Sequence, residues 1–91
     1  MTSYQIVIES SAARAVRRLP GHVRQRVRRS ITELGIQPRP PGSRPLRNQT
    51  DYHRLRLDGW RIIYMVDDDA RLVTVIAVKR KTGPETYTGL S

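Results

Sequence analysis

The dipeptide Asp58-Gly59 constrains this chain more than any other feature of its sequence. It joins two alternating runs, Tyr52–Leu57 and Trp60–Val66. Asp-Gly between such runs is the strongest short-range signal for a tight β-hairpin. A two-residue loop also fixes register: Leu57 faces Trp60, Arg56 faces Arg61, Leu55 faces Ile62 and Arg54 faces Ile63. Successive side chains point to opposite sides of a sheet. One face therefore carries Leu55, Leu57, Trp60 and Ile62, and reads as core. The other carries Tyr52, Arg54, Arg56, Arg61 and Ile63.

That second face is the unusual one. Like charges directly opposite each other on paired strands are destabilising, and Arg54 adds to the repulsion between Arg56 and Arg61. No acidic residue falls on this face of the two strands. A chain that keeps such a cluster needs an anion there, from an external phosphate or an acidic partner. The competing readings are arginines splayed into water, or a carboxylate such as Glu85 folded back from the tail.

The remaining segments supply what covers the apolar face. Tyr4–Ile8 is β-branched and reads as a short strand. Ser10 or Ser11 can cap a helix running to about Leu19, with a stripe of Ala12, Val16 and Leu19. After Pro20-Gly21 a second helix runs to Leu34, with Val23, Val27, Ile31 and Leu34 on one side. Gly35 suits the left-handed position just past its end. Residues 36–50 hold four prolines and one glycine, which predicts a crossing loop without regular structure. A last strand, Leu72–Lys79, follows a turn at Asp67-Asp68-Asp69-Ala70, and the tail from Lys81 reads as irregular. The order β-α-α-β-β-β predicts a single α+β domain over residues 1–91: an antiparallel sheet of about four strands with an αα-hairpin packed on one face.

Composition narrows function. Hydrophobic residues make up 37% of the 91 residues and there is no Phe, so Ile, Val and Leu must build the core. With no cysteine, and with His22 and His53 lacking partners at ligand spacing, neither a metal nor another cofactor is expected. No run approaches the roughly 20 apolar residues of a membrane span, and no basic-then-apolar leader opens the chain. The expected location is cytoplasmic. The formal charge is +9, and 15 of the 17 cations are arginine. Genomic codon bias explains part of the preference for arginine over lysine. It does not explain the net charge, which points to a nucleic acid or an acidic protein.

The run Tyr52-His-Arg-Leu-Arg-Leu-Asp-Gly-Trp-Arg-Ile-Ile-Tyr64 resembles the central hairpin of RelE/ParE toxins. Ala15-Val-Arg-Arg-Leu-Pro20 is similar to that family's first-helix ending, and Pro45-Leu46 to the leucine before its hairpin. Val78-Lys-Arg80, followed by a tyrosine, is similar to its last strand and C-terminal element. The resemblance implies the toxin of a toxin–antitoxin pair. RelE-type members cut mRNA on the ribosome: the message's own 2′-OH attacks the adjacent phosphate, leaving a 2′,3′-cyclic phosphate and a 5′-OH end. ParE-type members share the fold and act on DNA gyrase. A catalytically inactive, antitoxin-binding corepressor is a further reading.

By position, the resemblance places Arg54 and Arg56 where RelE-type toxins carry two catalytic basic residues, commonly lysines. Arg61 and Arg80 match phosphate-binding arginines, and Tyr87 matches the C-terminal tyrosine, with one extra residue between it and Arg80. Arg47, Tyr52, Lys79 and Lys81 are expected to contact RNA beside them. Arginine does not lose its proton in proteins, so Arg54 and Arg56 can stabilise a phosphorane but cannot act as general bases. Tyr87, with an ordinary pKa near 10, either handles a proton with help from nearby arginines or stacks on a base. A base from ribosomal RNA also fits. His53 alternates onto the face opposite Arg54, away from the site. The implied partners are an acidic, partly disordered, RelB-like antitoxin and mRNA on the ribosome, with toxin and antitoxin in one hetero-oligomer.

Overall fold

A computed structural model describes residues 3–46 and 49–80. The chain runs β1 (Gln5–Ile8), α1 (Ser10–Arg17), α2 (Gly21–Leu34), β2 (Ser43–Leu46), β3 (Gln49–Leu57), β4 (Trp60–Asp67) and β5 (Leu72–Arg80). The α+β class and the helix pair agree with the sequence reading, whereas the sheet is larger and mixed. Its five strands lie in the order β1-β5-β4-β3-β2, and β1 pairs with β5 in parallel. No helix among the described residues is long and apolar enough to cross a membrane.

The added strand corrects the expectation that residues 36–50 lack regular structure. Ser43–Leu46 pairs antiparallel with β3, Arg44 opposite Arg54 and Pro45 opposite His53. A proline is tolerated because β2 is an edge strand, where only one side of the backbone needs a ladder partner. Gly42 makes the entry possible at φ 93, in the left-handed region that glycine occupies without steric cost. The preceding segment is tied down along its length. Tyr64 donates its hydroxyl to the Pro38 carbonyl at 2.7 Å, and Ser43 donates to the Pro40 carbonyl at 2.7 Å.

Both helices cover one side of the sheet. Ala12, Val16, Leu19, Val27, Ile31 and Leu34 bury against Leu55, Ile62, Tyr64, Val66, Val73, Val75 and Val78. The two helical stripes read from the sequence thus meet the sheet face read from the hairpin. Leu57 and Trp60 are only half-buried at its margin, because they flank the solvent-facing turn. The α1 cap is Glu9 rather than a serine, and its side chain makes no capping bond. Gly35 is not left-handed (φ −69). Its need for glycine comes from packing: Tyr4 N–H donates to the Gly35 carbonyl at 2.6 Å, and a Cβ on Gly35 would come within 2.9 Å of the Tyr4 carbonyl oxygen.

Candidate nucleic-acid interface

The β3–β4 hairpin has the register that Asp58-Gly59 dictates: Leu57 opposite Trp60, Arg56 opposite Arg61, Leu55 opposite Ile62 and Arg54 opposite Ile63. Asp58 takes φ 53, the left-handed geometry such turns use. It also pairs with Arg26 of α2, fastening the turn to the helix layer. Leu55 and Ile62 are buried on the helix side. Arg54, Arg56 and Arg61 therefore share the opposite face, which neither helix covers.

Two more cations join them through neighbouring strands. Lys79 of β5 is registered against Arg61, and Arg44 of β2 against Arg54. The face thus carries Arg44, Arg54, Arg56, Arg61 and Lys79, with half-buried Tyr52 one alternation beyond Arg54. Arg44 is not legible as a site residue in the sequence, because the prolines around it read as loop. The clue available was its offset of one from Gly42-Ser43, which becomes informative only once β2 is paired. Arg56 N–H reaches the Gly42 carbonyl at 3.5 Å, holding the start of β2 against this end of β3.

Electrostatics mark Arg61 as the centre. Partial burial, followed by repulsion from Arg54 and Arg56, pushes its guanidinium below the ordinary arginine value. The shift leaves arginine protonated at any physiological pH, so its meaning is energetic: a positive charge is held where other positive charges surround it. Among the described residues, the ion pairs Arg26–Asp58 and Arg39–Asp68 use none of Arg44, Arg54 or Arg56.

Arg80 departs from the expectation that it stands beside the triad. Along β5 the partner of Tyr64 is Val75 but the partner of Ile63 is Ala77, so Ile76 is an extra residue, a β-bulge. The bulge shifts the alternation by one. Val78 turns into the core, Lys79 onto the arginine face, and Arg80 to the helix side opposite Trp60. There its guanidinium lies 5.9 Å from the Trp60 ring centroid, within reach of a cation–π contact. Arg47, Lys81 and Tyr87 fall outside the described residues.

His53 lies where alternation puts it, on the helix side, 5% exposed and stacked on Tyr64 at 5.5 Å between ring centroids. Its Nδ1 has no hydrogen-bond partner. Burial first, and then the charge on Arg39, lower its pKa. It is a core histidine.

Comparison with known proteins agrees with this geometry. A family model described as the ParE toxin of type II toxin–antitoxin systems matches residues 6–82. The mRNA interferase toxin RelE of Escherichia coli is 28% identical over 87 residues, covering 93% of this chain and 90% of RelE. The crystal structure of the isolated E. coli RelE toxin superposes with a TM-score of 0.79 at 27% identity, covering 97% of this chain and 95% of that one. RelE in the intact E. coli RelBE toxin–antitoxin complex gives a TM-score of 0.77 at 26% identity, covering 89% and 100%.

Proposed function

The chain belongs to the ParE toxin family of type II toxin–antitoxin systems, and from that premise we propose that it is a RelE-type endoribonuclease that cuts mRNA on the ribosome. The observation that carries this reading is the cross-strand pair Arg56–Arg61, flanked by Arg54 and Lys79 on the sheet face away from the helices. Attack of a 2′-OH on the adjacent phosphate, with departure of the 5′-oxygen, needs positive charge fixed around that phosphate before the reaction begins. Donors aimed at developing charge supply the larger part of many rate enhancements. Arg61, partly buried beside Arg54 and Arg56, is placed to meet the phosphate. Arg54 and Arg56 stabilise the equatorial oxygens. Arg80 would have to swing from its place against Trp60 around the strand end to meet the same phosphate. Tyr87 handles a proton or stacks on a base, and none of these steps requires a metal.

The curated relative is an mRNA interferase and a solved relative is bound to its antitoxin. We extend both properties to this chain, with an acidic antitoxin that is partly disordered until it wraps the toxin. The second reading, gyrase inhibition without RNA cleavage, draws on Arg54 and Arg56 standing where the RelE resemblance implies lysines. Mapping mRNA 5′ ends after brief induction separates the two. Clustered cuts in translated messages are expected. Intact messages accompanied by gyrase-linked DNA breaks would move the assignment to the second reading.

A further inference from the structure

We propose that Gly42, Arg44, Arg54 and Arg56 form a second phosphate subsite, which takes the phosphodiester of the nucleotide next to the one that is cleaved. The inference rests on the RNA-binding reading of this face and adds to it a second contact, built by Gly42 and Arg44 and sharing Arg54 and Arg56 with the first.

These four residues line a pocket of about 210 Å³. Three of them are arginines, and among the described residues no carboxylate lines it. The guanidinium fork matches phosphate oxygens bidentately. Gly42 forms part of the wall without a side chain, and its φ of 93 resists replacement. Among the described residues no aromatic ring lines the pocket, so these residues offer charge and not the stacking surface by which single-stranded bases are held. It is suited to the backbone, which positions a strand without reading its sequence.

Register supplies the spacing. The Arg44–Arg54 pair lies two residues along β3 from the Arg56–Arg61 pair, about 7 Å at the usual rise of a strand. Successive phosphates of an extended nucleic-acid strand are separated by a comparable distance. Arg56 lies between the two subsites and Arg61 with Lys79 completes the first. The segment before β2 is anchored by Arg39 on Asp68, with nitrogen–oxygen distances of 2.9 and 3.2 Å, and by the Tyr64 bond to Pro38. Arg44 is therefore presented from a fixed edge strand.

The test uses a 2′-O-methyl trinucleotide, whose attacking hydroxyls are blocked, titrated by fluorescence anisotropy across salt. Arg44→Ala should weaken binding about tenfold, as expected when one charge-assisted contact is lost, and should reduce the log–log salt slope by about 0.7, the value for one single-strand phosphate. Arg29→Ala removes an equal charge from the exposed side of α2 and should leave the slope unchanged. Replacing one phosphate of the trinucleotide by a neutral methylphosphonate should abolish the difference between wild type and Arg44→Ala, and replacing the other should not. Arg44→Ala behaving like Arg29→Ala would overturn the subsite while leaving the RNA reading intact. So would an Arg44→Ala loss that persists with each methylphosphonate. A wild type without salt-dependent binding would overturn both.

Discussion

The two ends of the sheet treat charge in opposite ways. At the β4–β5 turn, Asp68 is met within the chain: Arg39 grips both carboxylate oxygens and the Tyr4 hydroxyl donates at 2.6 Å. These contacts hold the Asp68 carboxyl below its ordinary pKa. At the β3–β4 end, five cations share one face, and burial with mutual repulsion lowers Arg61 instead. The first arrangement closes a loop onto the fold. The second gathers like charges on one face, the composition expected of a surface that meets an external anion.

The largest expected effect comes from removing the centre of the second arrangement. Arg61→Ala should abolish growth inhibition, and its melting temperature should stay the same or rise, since repulsion with Arg54 and Arg56 is relieved. Tyr87→Phe should lower cleavage by about 10²–10⁴-fold if the hydroxyl handles a proton. Near-normal cleavage by Phe with loss in Ala would assign the ring to stacking. Equal activity of both variants would remove Tyr87 from the site.

The closed end should respond in the other direction. Tyr64→Phe deletes a buried hydroxyl's bond to Pro38 and should cost about 1 kcal/mol in denaturant unfolding, with toxicity retained. Breaking the Arg39–Asp68 pair by Asp68→Asn should cost less, because both groups are exposed and such pairs are screened by solvent. A toxic but unchanged Arg61→Ala, or a stable but inactive Asp68→Asn, would invert the comparison.

The smallest effect is a pH dependence. His53 has a lowered folded pKa, so its contribution is present in full above the ordinary value near 6.5. It should be lost as pH falls through that value toward the depressed folded one. Stability measured between pH 7 and 5 should therefore decline in the wild type, and part of that slope should disappear in His53→Gln.

What the sequence revealed follows the range of each interaction. The hairpin register and the Arg56–Arg61 pair were legible because a two-residue turn sets them locally. The helical stripes were legible because Val27, Ile31 and Leu34 recur at helical spacing. β2 was hidden: Pro45 and the surrounding prolines suppress strand propensity, and only pairing with β3 at an edge overrides them. Arg44 was missed with it. The bulge at Ile76 was masked by the continuous apolar run Val75-Ile-Ala-Val78, in which a one-residue slip leaves no polar marker. The side of the sheet on which Arg80 stands was therefore not legible. The parallel β1–β5 pairing joins residues from opposite ends of the chain, and no local signal encodes it.

The central claim is that Arg54, Arg56 and Arg61 are arranged for an RNA phosphate at the expense of the isolated fold. Thermal unfolding of wild type, Arg56→Ala and Arg61→Ala, each with and without the blocked trinucleotide at low salt, tests it directly. Alone, both variants should melt at or above the wild-type temperature. With ligand at about 100 times its Kd, the wild type should gain about 2.7 kcal/mol and the variants far less at the same concentration. Variants that melt clearly lower on their own, or that gain as much from the RNA as the wild type, would contradict the account.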